Sequence, residues 1–246
     1  MAKQNGLGDL LFLDGYDVSG DVGSVERIAF PSRVLDVTAI NASGMERIHS
    51  HVDGEISFRQ FFNDAAAAEH EVLRAKGSGA DRIATYFHGS TLGNVTAGLV
   101  AKQVNYDWER SADGALLGST QLLGNKYGLE YGVMLTAGKR TDTTATNGTG
   151  VDNGAATALG LAAYLQVFAF TGTSVTVTLQ ESSDDAAGDP YAAVTGGAFT
   201  AATAIGAQRI VTGLTLAVER YLRVVTTGTF SNAVFAVCAT RYPYAA

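Results

Sequence analysis

Apolar and polar residues alternate with a period of two over much of this chain, in short runs. In "RVLDVTAI", Leu35, Val37 and Ala39 fall on one side and Asp36 and Thr38 on the other, the pattern of a half-buried strand. Two further alternating runs flank Asp53-Gly54 in "MERIHSHVDGEISFRQFF". A two-residue turn there would mix polar and apolar groups on both faces. A three-residue loop, Val52-Asp53-Gly54 with Gly54 left-handed, pairs Ile48 with Phe58 and Ser50 with Ile56. It gathers Arg47, His49, His51, Glu55, Ser57 and Arg59 on the opposite face. A slip of one residue would exchange the faces, so the pattern selects the bulged loop. More strands are expected at "RIATYFHG", "LVAKQVNYDWE", "ALLGSTQLL" and "YGLEYGVMLT". Beyond these come "LAAYLQVFAF", "SVTVTLQES", "AQRIVTG", "ERYLRVVTTG" and "NAVFAVCATRY". Short strands spaced by Gly-rich turns predict a mainly β chain of sandwich type.

One segment breaks the rule. From Phe61 to Ala75 the apolar residues Phe61, Ala65, Ala68, Val72 and Ala75 recur at helical spacing, with Phe62, Ala66 and Leu73 beside them. Asn63 or Asp64 can cap the start, Arg74 and Lys76 suit the carboxyl end, and Gly77 stands where a left-handed cap belongs. The prediction is a single helix lying over one face of a sheet. Residues 139–160 are rich in Gly, Thr, Asn and Asp and lack bulky groups, which predicts a flexible linker or long loop. It divides a first domain, 1–138, from a second all-β sandwich, 161–246.

Composition narrows the functions. The net charge of −7 gives no electrostatic reason to grip nucleic acid, which requires an excess of Lys and Arg. No apolar run nears the ~20 residues of a spanning helix, so membrane insertion is not expected, and the opening residues read as no signal peptide. The single Cys238 rules out an internal disulfide and sits among alternating apolar residues, which reads as a buried thiol.

Candidate chemistry is sparse. His49 and His51 share a strand face, and with Glu55 as third ligand they are the residues that could hold zinc or copper. Arg47 and Arg59 on that face would repel a dication, so a polar or subunit-facing strand is the plainer reading. Asp184, Asp185 and Asp189 crowd a loop that lacks EF-hand spacing, and reads as an acidic turn. "TAGKRT" lacks the upstream Gly of a phosphate loop and has Arg140 where Ser or Thr belongs. His70 and His88 complete no motif, and there is no HExxH or GxSxG pattern. No enzyme and no cofactor are expected.

The order of parts resembles a known family. "LDVTAINASGMERIHSHVDGEISFRQFFNDAAAAEHEVL" is similar to the core of the major tail proteins, or tail tube proteins, of long-tailed (siphovirus-type) bacteriophages. Asp36, Thr38, Asp53, Gly54, Phe58, Asn63 and Asp64 fill the family's places. "AKQVNYDWERSADGALLGSTQLLGNKYGLEYGVMLTAG" also looks like tail proteins of phages infecting actinobacteria, so the likeness covers roughly 10–138. The second region resembles the added outward-facing sandwich of such proteins. The resemblance implies a partial barrel with one flanking helix, completed by neighbouring copies into a homo-hexameric ring. Stacked rings would form a virion tail tube through which DNA is ejected without specific binding. Partners implied are copies of the chain, a tape measure protein in the lumen, and tail tip and terminator proteins; synthesis would occur in the bacterial host cytoplasm. Asp36, Thr38, Glu55 and Ser57 are the candidate lumen-facing residues. Rival readings are a capsid decoration protein, or a carbohydrate-binding or adhesion sandwich that uses Tyr106, Trp108, Tyr191 and Tyr221.

Overall fold

The structure, a computed structural model, describes residues 5–74 and 79–241. Its elements begin with β1 (Leu10–Leu13), β2 (Tyr16–Asp17), β3 (Val22–Ala29), β4 (Ser32–Asp36), β5 (Arg47–Val52) and β6 (Glu55–Phe61). Then come α1 (Glu69–Leu73), β7 (Arg82–Phe87), β8 (Val95–Gln103), β9 (Asp107–Arg110), β10 (Leu116–Gly124) and β11 (Glu130–Met134). The last are β12 (Arg140–Asp142), β13 (Val151–Asp152), β14 (Leu161–Ser182), β15 (Ala192–Ala198), β16 (Gly206–Val211) and β17 (Tyr221–Arg241). The expected mainly β architecture is present, with antiparallel pairing throughout. The compact units are not cut where composition suggested. One comprises residues 1–20, 83–98 and 131–246; the other comprises 21–82 and 99–130.

The first unit is organised by two very long strands. β14 has 22 residues and β17 has 21, and they pair from Leu161↔Arg241 to Ser182↔Tyr221. Each was expected as two separate strands. Both bend midway instead, where register shifts fall between Val167 and Ser174 and where Gly172 (φ 150°) and Gly228 (φ 121°) take backbone angles that favour glycine. The two halves of β14 thereby supply one core: Leu161, Leu165 and Val167 from one, Val175, Val177 and Leu179 from the other, with Leu222, Val224, Phe235 and Val237 of β17. β15 and β16 flank β14, and β11, β12 and β13 flank β17. β1 pairs with β2 across a turn in which Asp14 (φ 52°) and Gly15 (φ 86°) are both left-handed, the form that matches strand twist.

Residues 139–160 are not a free linker. β12 pairs with Phe235–Ala233, Asn147 bridges to Val225, β13 pairs with Leu222 and Tyr221, and Thr157 bridges to Val218. Polar side chains make up for the missing apolar bulk. Arg140 donates through Nε and Nη2 to the two oxygens of Asp142, both at 2.8 Å, and through Nη1 to the Val224 carbonyl at 2.9 Å. Thr226 Oγ1 donates to Asp142 at 2.6 Å and accepts from the Thr146 N–H at 3.1 Å. Asp142 is buried. Its ion pair is therefore worth most when whole, because removing one partner strands the other's charge.

In the second unit β6 is central to an open sheet, with β3 on one side and β10 on the other; β10 continues to β9 and to the end of β8. Among the described residues β4 and β5 pair only with each other. The hairpin expected between β5 and β6 is thus absent. Asp53-Gly54 is the point where the chain passes from one sheet to the other. Gly54 is not among the left-handed residues; its requirement is proximity. A Cβ there would lie 2.5 Å from Leu99 Cδ1 and 2.6 Å from the Leu129 nitrogen.

The helix is also shorter than its sequence period. Ala67 turns left-handed (φ 62°), residues 65–68 form one turn closed by the Ala68 N–H donating to the Ala65 carbonyl at 3.0 Å, and α1 has five residues. Ala68 gives its start no side-chain cap. Instead Asp21 accepts from Asn63 Nδ2 at 2.9 Å and from the Glu69 N–H at 3.3 Å, so the segment is fixed by a distant carboxylate rather than by Asp64. Arg82 Nη2 and Gln103 Nε2 donate to the Val72 and Leu73 carbonyls at 2.9 and 2.8 Å, serving the other end. Ala75, Lys76 and Gly77, assigned from sequence to the last turn and cap, lie outside the described residues.

Two outcomes follow from these contacts. Asp142→Ala leaves the half-buried Arg140 without its carboxylate partner and lowers unfolding stability by about 3 kcal/mol, read from urea denaturation. At Gly54 the proximity account expects Gly54→Asn to destabilise at least as much as Gly54→Ala, each by about 1–3 kcal/mol of overpacking. A left-handed turn would instead tolerate Asn better than Ala.

Candidate assembly surface

β4 and β5 form a two-stranded arm with no buried side. Every residue from Pro31 to Asn41 is exposed, as is most of β5. Val34, Leu35, Val37, Ile40, Met45, Ile48 and Val52 are each at least 46% exposed. The pairing Leu35↔Ile48 and Val34↔His49 places apolar groups on both faces. An isolated two-stranded ribbon is marginal in water. Its base is nevertheless firmly held. The Asp53 N–H donates to the Pro31 carbonyl at 2.9 Å, and the Gly124 N–H donates to the Gly54 carbonyl at 2.7 Å. Phe30 lies over Gly128, where a Cβ would meet its ring at 2.5 Å.

The candidate lumen residues separate into two pairs. Asp36 and Thr38 are on the arm: the Thr38 N–H donates to Asp36 Oδ1 at 2.9 Å, and Thr38 Oγ1 accepts from the Glu46 N–H at 2.9 Å. Hydrogen bonds from the Thr38 hydroxyl and N–H hold the Asp36 carboxyl below its ordinary range. Glu55 and Ser57 stand on β6, on the less buried face of the open sheet. Glu55 pairs with Arg27 at 3.2 Å and accepts from Gln121 Nε2 at 2.8 Å. Arg59 on the same face reaches Glu26 at 2.7 Å and Glu109 at 3.5 Å. Asp107 pairs across to Ser119, itself opposite Arg59. This face therefore carries Glu26, Glu55, Asp107 and Glu109 against Arg27, Arg59 and Lys102, which sits in the row Glu55–Leu123–Lys102, an acidic excess of one.

His49 and His51 are exposed on β5, and His51 Nδ1 is 2.9 Å from Ser50 Oγ. They do not share a sheet with Glu55, which follows from the lost hairpin. Among the described residues no group of three or more His, Cys, Asp or Glu could hold a metal ion. No helix among them is long and apolar enough to cross a membrane.

The other face of the open sheet is dry. Ile56, Phe58 and Gln60 are buried, and the cross-strand row Gln60–Gly118–Trp108 leaves room for the indole, because a Gly118 Cβ would meet it at 3.0 Å. Trp108 joins Phe62, His70 and Tyr106 in one cluster, with centroids 4.8–5.8 Å apart for the adjoining pairs. His70 Nδ1 and Tyr106 Oη are hydrogen-bonded at 2.6 Å. Trp108 and Tyr106 are half-buried and packed edge to face against each other, rather than laid out flat as a platform for sugar. Tyr191 donates to Asp185 at 2.5 Å under Arg223, 4.1 Å above its ring.

The remaining sequence candidates are structural. Asp184 and Asp189 accept from backbone N–H groups of their own turn, Lys139 pairs with Asp17 at 2.5 Å, and Cys238 is buried. β3 escaped sequence reading because bulges between Val22 and Ser24 and between Val25 and Arg27 break its alternation.

No protein-family model matches the chain, and no curated protein matches it in sequence. Among solved structures the chain is similar to one from the virion of a native gene transfer agent particle. The identity is 18%, over 52% of this chain and 98% of that one, with a TM-score of 0.44. A chain from the tail of the empty particle, refined with C6 symmetry, gives 18%, 52%, 98% and 0.42. The SPP1 Dit protein, described as a hub adsorption apparatus in phages infecting Gram-positive bacteria, gives 12%, 95%, 99% and 0.35. With TM-scores below 0.5, these likenesses do not decide what this chain does.

Because the arm contributes no side chain to a core, replacing Leu35 and Ile48 by Ser changes the isolated chain's stability by no more than about 0.5 kcal/mol, measured by thermal or urea unfolding at a concentration where the chain is monomeric.

Proposed function

We propose that this chain is a non-enzymatic structural protein of a phage-type tail, assembling with copies of itself into stacked, hexameric rings that form a tail tube. The observation that carries the reading is the β4–β5 arm, anchored at Phe30-Pro31 and Asp53-Gly54 yet apolar and exposed on both faces. Burying such a surface releases about 25 cal/mol per Å² of apolar area, and among the described residues nothing covers the arm. The open sheet of the same unit supports the reading too. β3 ends it, and a terminal strand is a ready joint for another chain unless it is managed.

Charge fits the conduit. The less buried face, with Glu55 and Ser57, is the proposed lumen wall. Its acidic excess repels phosphates, so DNA passes without being held. Asp36 and Thr38 belong to the arm and stabilise its turn, in contacts between copies rather than in the bore. In this reading the product is a virion component made in the host cytoplasm, with tape measure, tip and terminator proteins as its other partners.

Negative-stain microscopy of the purified full chain tests this. Rings or tubes are expected for the wild type, and monomers for the double variant Leu35→Asp, Ile48→Asp. A wild type that stays monomeric at every salt concentration, or a double variant that assembles normally, would sink the reading.

A further inference from the structure

Glu69 is the least expected residue in the second unit. It is 0% exposed, and among the described residues neither carboxylate oxygen makes a hydrogen bond of full geometry, although Tyr106, the Asn63 backbone and Gln60 lie close enough to act on it. The oxygen of its neighbour Gln60 that faces away from Thr120 is likewise without such a bond. Two unsatisfied acceptors side by side are costly, and the cost is greatest if one carries a charge. A single proton removes the difficulty, because it neutralises Glu69 and turns one of its oxygens into a donor.

The surroundings bias the site the same way. Asp21, from the residue before β3, faces Glu69 and is committed as an acceptor to Asn63 and to the Glu69 N–H. Tyr106, from the loop before β9, also faces it, with its hydroxyl tied to His70. On α1 itself Glu71 pairs with Arg74 at 3.1 Å. Arg82 and Gln103, from β7 and β8, spend donors on the helix carbonyls. No cation is directed at the Glu69 carboxylate by any contact of these groups. Burial is the main cause that pushes its pKa up to about 7, with Asp21 adding to the rise and Tyr106, Asn63 and Gln60 offsetting part of it.

We propose that Glu69 is the trigger of a pH-operated latch: neutral, it seats residues 62–74 on the dry face of the open sheet, and ionised, it leaves for water and the segment lifts. The segment yields before the sheet does. Its helix is five residues long, lacks a side-chain cap and follows a left-handed Ala67, a strained position for a residue with a Cβ. The latch is independent of whether copies form rings.

The direction is fixed by linkage. The folded chain holds the Glu69 proton more tightly than the unfolded chain, whose value is the ordinary 4.5. The seated state is therefore fully favoured below about pH 4.5 and loses ground as pH rises through about 7. The full shift corresponds to at most about 300-fold in the seating equilibrium.

The chain has one tryptophan, and Trp108 lies in the cluster with His70, so its fluorescence reports the latch directly. Emission of the full chain, and amide exchange of 62–74 corrected for intrinsic base catalysis, are followed from about pH 5 to pH 9. In the wild type, emission shifts red and the segment loses protection with a midpoint near 7. Glu69→Gln stays flat and protected, and His70→Gln keeps the transition. A flat wild type, a transition surviving in Glu69→Gln, or one abolished by His70→Gln would overturn the proposal. If Glu69→Gln fails to fold, the carbon chemical shift of the Glu69 carboxyl decides: a midpoint near 7 supports the latch, and one near 4.5 ends it.

Discussion

At Gly54 the chain must pass so close to Leu99 and Leu129 that no side chain fits, and this one contact shapes the second unit. Because the backbone enters the open sheet there, β6 is free to pair with β3 and β10 instead of with β5. β5 is left to β4 alone. The result is an arm whose root is bound by backbone hydrogen bonds and whose length is exposed among the described residues. A looser passage would let β5 and β6 zip into an ordinary hairpin, and the exposed apolar ribbon would not exist.

The open sheet built from that passage has two distinct sides. On one, Glu26, Glu55 and Glu109 are held by Arg27 and Arg59 in exposed pairs, which contribute little to stability but set the sign of the face. On the other, Ile56 and Phe58 are buried, and the half-buried His70, Tyr106 and Trp108 pack with the more exposed Phe62 at its edge. Period-two alternation makes this division possible. The short α1 segment covers part of that side, at the cost of burying the Glu69 carboxyl group with no cation beside it among the described residues. The proposed lumen wall and the proposed latch thus occupy opposite faces of the same strands.

The first unit solves a different problem. Two long strands carry most of its pairing, and their bends let a continuous ribbon form a core from both of its halves. The Gly- and Thr-rich stretch at 139–160 is held along β17 by the Arg140–Asp142 pair and its threonine neighbours. Polar pairing there performs the task that apolar burial performs elsewhere, which is why composition alone made the stretch look like a linker.

The sequence by itself determined where most strands run, that β structure dominates, and which side chains of β6 share a face, because alternation is a local property of successive residues. Only the tertiary structure decided which strands pair, since β5 has the same alternating pattern whether its partner is β4 or β6. It decided that α1 is five residues rather than four turns, because Asp21, Arg82 and Gln103 hold it from far along the chain. It decided, too, that Glu69 is buried. A glutamate at the start of a helix looks solvated in any local reading, and only the arrival of β6 and the segment before β9 removes its water.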